Sequence, residues 1–177
     1  MTLEENKKLV LDHYEALYRH DAEAVRNELA DFVDHEAPYG SMPPGPDAVL
    51  RAFEMVHRAV PDLSVKVEAI VAEGDLVAVR GTWTGTHKSP LPRTRDGEIL
   101  DPLNVPPTNR ATSITGMVFW RIRDGQIVER WGNLDRFSLQ KQLTAEAPES
   151  MPGFVSRVVG HPEVGFRAGR VRGCTSG

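Results

Sequence analysis

The chain of 177 residues carries 21 basic and 25 acidic side chains, a net charge of −4 with the two signs interspersed. No basic stripe suggests a nucleic-acid partner, and no apolar run reaches the length of about 18 residues that a membrane helix needs. No charged-then-apolar leader is present, and the single cysteine, Cys174, can form no internal disulfide.

In chain order, Glu4 to His20 reads as a helix, because Val10, Tyr14, Leu17 and Tyr18 form an apolar stripe at helical spacing. Asp21 is a candidate N-cap for a shorter helix running to about Leu29. Phe32 to His35 is a short strand-like run, and it enters a loop, Glu36 to Gly45, rich in Pro and Gly. Pro46 suits a first helical position, and Val49, Phe53, Val56 and Val60 then define a third helix that stops before Pro61. From Leu63 the period changes to two. Val65, Val67, Ala69 and Val71 mark one strand, Glu73-Gly74-Asp75 a turn, and Leu76 to His87 a second strand. Lys88 to Arg110 holds five prolines and reads as a long loop, the kind of segment that often serves as a lid.

Ala111 to Arg136 then alternates as two strands around Asp124-Gly125, a pair suited to the positive-φ positions of a tight hairpin. On the return strand the alternation places Ile127, Glu129, Trp131, Asn133 and Asp135 on one face. An aromatic, an amide and a carboxyl group in a row point to a site rather than to packing alone. An N-cap role for Asp135 at a last helix, Arg136 to about Ala145, is compatible with the same spacing. After Pro148 the composition shifts to Gly, Pro, Arg and Val without a period. The domain is therefore drawn at 1–147, with 148–177 an irregular extension, partly disordered or wrapped on a neighbouring subunit. Helices first and strands later predict an α+β domain, with helices covering one face of a curved antiparallel or mixed sheet that opens as a cone.

The segments ENKKLVLDHYEALYRHDAEAVRNELADFVDH, PPGPDAV, VPDLSVKVEAIVAEGDLVAVRGTWTGTH, VPPTNR and FWRIRDGQIVERWGNLDRFSLQKQL resemble the SnoaL-like polyketide cyclases (ester cyclases) of the nuclear-transport-factor-2-like, or ketosteroid-isomerase-like, superfamily. The resemblance spans roughly residues 4 to 145 and implies the NTF2-like cone. It departs from the usual pattern at SPLPRTRDGEILDPLN, an added segment near the expected cavity mouth, and in the tail after Pro148.

The resemblance implies that Asp135, which ends a WxxxD motif, is the general acid/base. A carboxyl beside Trp131 in an apolar cone would have its pKa raised by desolvation. His35 and His87 are the candidate partners for proton exchange or for holding an oxyanion. Asp34 is expected to point away from His35 and to orient the loop. Tyr14, Trp83, Met117, Phe119, Trp131 and Asn133 are the candidate substrate-lining residues. His13, His20, His57 and His161 are assigned exposed or tail positions and take no role.

No phosphate-cradling loop, nucleophile elbow or zinc spacing is present, so no cofactor and no metal is expected. The reading is a cytoplasmic, cofactor-independent cyclase that closes a ring by enolate or aldol chemistry on a small apolar or aromatic carbonyl substrate. A homodimer, paired through the exposed sheet face, is implied by the resemblance. The alternatives are a non-catalytic binding or interaction module on the same cone and, less favoured, a limonene-type epoxide hydrolase, which wants two acids and an arginine.

Overall fold

The computed structural model describes residues 1–35, 44–90, 93–95, 98–100 and 105–144, with 93–95 and 98–100 described by their backbone. The postulated extension 148–177, and His161 within it, lie outside the described residues, as does most of the loop from Glu36.

Among the described residues, four helices and seven strands follow one another as α1 (Leu3–Tyr18), α2 (Ala22–Glu28), β1 (Leu29–Asp34), α3 (Pro46–Ala59), β2 (Ser64–Glu73), β3 (Leu76–Thr86), β4 (Arg93–Arg95), β5 (Glu98–Leu100), β6 (Ala111–Arg123), β7 (Gln126–Leu134) and α4 (Arg136–Thr144). Local signals explain the helix starts. Thr2 and Glu5 form a reciprocal capping box on α1, Asp21 caps α2 through the Ala24 N–H, and Pro46 opens α3. The segment read as an unbroken loop contains a short antiparallel hairpin, β4 with β5.

The main sheet has the order β1-β7-β6-β3-β2. Its inner pairs are antiparallel, and β1 joins the edge parallel to β7, which makes the sheet mixed. Helices α1, α2 and α3 lie on one face, which we call the covered face. Val77 and Val79 of β3, Val118 and Trp120 of β6, and Ile127 of β7 pack there with Val10, Tyr14 and Leu17 of α1. The opposite, open face shows Val71, Met117 and Phe119 to solvent.

Two bulges decide which side chains reach which face. In β1 the register shifts between Leu29 and Val33, at Asp31 with φ 30. Leu29 and Phe32 are both buried as a result, although they are three residues apart. Between β6 and β7, Ile122 pairs with Ile127 but Arg121 pairs with Glu129, so Val128 is the extra residue. Ile127 therefore points under the helices while Glu129 and Trp131 point away.

Candidate active site

The bulges distribute the candidate residues over both faces of the sheet. Tyr14, Trp83 and His87 lie on the covered side. His35, Met117, Phe119, Trp131, Asn133 and Asp135 lie on the open side. The expected single cavity lined by all of them is not what the chain builds.

On the open face, Met117 pairs with Asn133 and Phe119 with Trp131 across β6 and β7. Arg80, Thr115, Met117, Asn133, Asp135 and Phe137 line a groove of about 470 Å³. Asp135 is exposed and caps α4, accepting the Ser138 N–H at 2.9 Å. That backbone bond, followed by the Ser138 hydroxyl, lowers its pKa. The direction is opposite to the one expected from desolvation, because solvent and two donors surround the carboxylate instead of an apolar wall. His35 stacks on Trp131 with ring centroids 4.8 Å apart and 4° between planes, and its Nε2 is 3.5 Å from Glu129. It faces away from the helices, and Asp34 points the opposite way from His35, to the covered side.

The covered face holds the more enclosed chemistry. Arg130 donates through Nη1 to Asp34 at 2.7 Å, and the two side chains keep only 15% and 18% of their surface exposed. The parallel register places Asp34 opposite Arg130. The Arg130 guanidinium lies 5.6 Å from the centre of the Trp120 ring. Tyr14 meets the same indole edge-on at 5.7 Å, and His13 meets it at 5.3 Å. Burial pushes the Tyr14 phenol up to about 12, against smaller opposing effects of the Arg130 charge and the Trp120 N–H. His13, assigned an exposed position by its helical spacing, is fully buried, with Nδ1 3.0 Å from Glu28.

Farther along the same face the side chains give way to glycine. Gly81 pairs with Gly116, and Gly132 lies opposite Val118. The Trp83 ring covers Gly81, the Arg130 guanidinium covers Gly132 and the Leu134 side chain covers Gly116. An added Cβ at Gly132 would stand 2.9 Å from Arg130 Nη2. Beyond Trp83, His87 is 1% exposed. The Thr108 N–H donates to its Nδ1 at 3.3 Å, with the Thr108 hydroxyl 3.1 Å away. Nδ1 is thus the acceptor, which assigns the ring proton to Nε2 and makes His87 a hydrogen-bond donor to the interior.

Asp34, Arg130 and Trp120 are the residues that sequence reasoning missed. The readable signal was the acid immediately before His35, together with an arginine one residue before Trp131. The bulges concealed that they share a face. No group of three or more His, Cys, Asp or Glu placed to hold a metal ion occurs among the described residues.

A family model described as SnoaL-like polyketide cyclase matches residues 8–143. Among solved structures, IdmH of Streptomyces antibioticus, named as a candidate polyketide cyclase, is 32% identical with a TM-score of 0.61, covering 78% of this chain and 97% of its own. AclR of Streptomyces galilaeus, named as a candidate hydroxylase, is 28% identical with a TM-score of 0.61, covering 82% and 100%. TsrD of Streptomyces laurentii shares the fold at 22% identity, with a TM-score of 0.67 and coverage of 82% and 99%. No curated protein matches the chain significantly.

Proposed function

This chain belongs to the SnoaL-like polyketide cyclase family, and from that membership we propose that it is a cofactor-independent acid–base enzyme acting on the covered face. The observation that carries the reading is the Asp34–Arg130 pair, a carboxylate fixed at 2.7 Å by a guanidinium and set against Trp120. Fold alone does not choose the reaction, since a hydroxylase name is attached to a relative of the same architecture. The choice rests on the site.

In this reading the Asp34 carboxylate removes the proton from a carbon flanked by carbonyls in a small polyketide-like substrate. The resulting enolate carbon forms a bond to a second carbonyl carbon of the same molecule. The oxygen of that second carbonyl takes the proton back from Asp34, so no redox partner is required. Arg130 holds the carboxylate in place, and Trp83, over Gly81, gives the ring system an aromatic wall. His87, as an Nε2–H donor, is assigned to an oxygen at the far end of the substrate. The open face, with Met117, Phe119 and Trp131, is the proposed surface for pairing of two copies. The proposed location is the cytoplasm, and among the described residues no helix is long and apolar enough to cross a membrane.

Exchange of the α-hydrogens of simple β-ketoesters in heavy water, followed by NMR, tests the reading without the natural substrate. Catalysed exchange is expected in the wild type and in Asp135→Asn, and it should vanish in Asp34→Asn. Loss in Asp135→Asn with retention in Asp34→Asn would return the base to the open face. Absence of exchange alongside tight binding of a probe would favour the non-catalytic binding module.

A further inference from the structure

Helix α1 ends on a left-handed residue. The Asp21 N–H donates back to the Ala16 carbonyl at 2.9 Å and the His20 N–H to the Leu17 carbonyl at 3.1 Å, the paired bonds that close a helix through a residue of positive φ. Glycine is the usual occupant of that position. This chain has His20 there, at φ 58. Its ring lands 4.5 Å from the ring of His57 on α3, with 57° between planes. Phe53 and Tyr18 also pack edge-on against His57, at 4.7 and 6.3 Å.

The contacts of the His57 ring fix its proton. The Pro61 carbonyl accepts a hydrogen bond from it, while Nε2 is buried with no hydrogen-bond partner among the described residues. The proton is thereby assigned to Nδ1, and Nε2 carries a lone pair. A backbone carbonyl on the far N–H is the arrangement that orients metal-binding imidazoles. Burial, followed by the neighbouring His20, lowers the His57 pKa below its ordinary 6.5, so the ring is neutral at neutral pH. Two flanking arginines are already paired one helical turn back, Arg19 with Glu15 and Arg58 with Glu54.

We propose that His20 and His57 form a two-imidazole site for a divalent late transition-metal ion, Cu²⁺ foremost, which joins the end of α1 to α3. Spacing selects the ion. With metal–nitrogen bonds of about 2.0–2.1 Å, two rings bound at a right angle have centres about 4.5 Å apart, and two at the tetrahedral angle about 5.2 Å. The 4.5 Å seen here matches the right-angle arrangement of tetragonal Cu²⁺ or Ni²⁺ rather than tetrahedral Zn²⁺. Cu²⁺ then leads by its general affinity for nitrogen ligands, with water in the remaining positions. The ion would hold two helices together and takes no part in the proton transfer assigned to Asp34.

Titration of the full-length protein with CuCl₂ in a non-coordinating buffer tests the site. Wild type is expected to bind with a rise in melting temperature, since a ligand confined to the folded state stabilises it. The paramagnetic resonance spectrum of the bound ion should show splitting from two nitrogens. His20→Gly and His57→Phe should each weaken binding about tenfold or more, at least the loss that follows removal of an outer-shell partner. His20→Gly restores the residue that a left-handed position favours, so without copper it should melt at or above wild type. His57→Phe keeps a ring against Phe53 and Tyr18. Both variants therefore stay folded while the copper response is lost.

Copper affinity equal in wild type and both variants would overturn the site. Uptake without a melting shift, or a spectrum with a single nitrogen, would do the same. Ni²⁺ should stabilise wild type more than Zn²⁺ does, and the reverse order would overturn the right-angle geometry from which the ion was chosen.

Discussion

Replacing Asp34 by Asn tests the energetic reality of the pair on which the proposed chemistry depends. Two unit charges about 4 Å apart attract by about 4 kcal/mol at an effective dielectric constant of about 20. Much of that is offset by desolvating both groups, and cutting a fully buried pair costs about 3–5 kcal/mol. Asp34 and Arg130 keep 18% and 15% of their side-chain surface in water, so the loss should be smaller. We expect about 2 kcal/mol for Asp34→Asn, or about 4–8 °C in melting temperature for a chain of this length. Arg130→Gln should cost more, about 3 kcal/mol, since it also removes the cation over Trp120. The double variant should resemble Arg130→Gln alone rather than the sum of the two. Urea unfolding of the four proteins measures the coupling. Additive losses, with coupling below about 0.5 kcal/mol, would refute the pair and with it the placement of the base.

Three further outcomes follow from particular contacts. Gly116→Ala places a methyl against the Leu134 side chain and 2.8 Å from the Asn133 carbonyl oxygen. It should cost about 1–3 kcal/mol in urea unfolding; no loss would mean that β6 and β7 are not packed as described. Asp135→Ala removes the α4 cap, and the pH dependence has a definite sign. The folded pKa lies below the ordinary 3.8, so the stability it contributes is present above that value and is lost as pH falls through the folded pKa. The melting difference between wild type and Asp135→Ala should therefore be full near neutrality and close under acid; a difference that grows on acidification would refute the cap. Phe119→Glu puts a charge on the open face, where Phe119 is 45% exposed, and should yield monomers by sedimentation if copies pair there. An unchanged mass would move the pairing surface elsewhere.

The helices, the strand sequence and the Asp124-Gly125 turn were legible because periodicity and capping are local properties. The Asp135 cap was visible too, as one of two readings of the same spacing. Side-chain direction was not. Strict alternation carries Leu29 forward to His35 on one face, and it carries Ile127 forward to Trp131 and Asp135. Each inference crosses a bulge, one at Asp31 and one at Val128. A single inserted residue reverses every later orientation in a strand. The composition of Asp31 or Val128 does not announce it, since bulges arise from pairing between distant strands. For the same reason Asp34 and Arg130, separated by 96 residues, could not be joined by reading along the chain. His13 was misplaced by a related limit, because helical spacing shows which residues share a face but not that a carboxylate from α2 will reach under the helix to hold one of them.

The row of glycines under the helices has a bearing on how this face could accept guests of different outline. Gly81, Gly116 and Gly132 contribute no shape of their own, and the relief above them comes from Trp83 and Arg130, each rooted two residues away on the same strand as its glycine, and from Leu134, opposite Gly116 on the neighbouring strand. Trp83 and Leu134 can swing by side-chain rotation, and Arg130 once released from Asp34, while the backbone ladder beneath stays paired. Room for a substrate on this floor is thus a property of three rotamers rather than of strand positions. The scaffold can stay rigid while the contour above it is redrawn, and a single alanine at one of these glycines would turn an adjustable boundary into a fixed one.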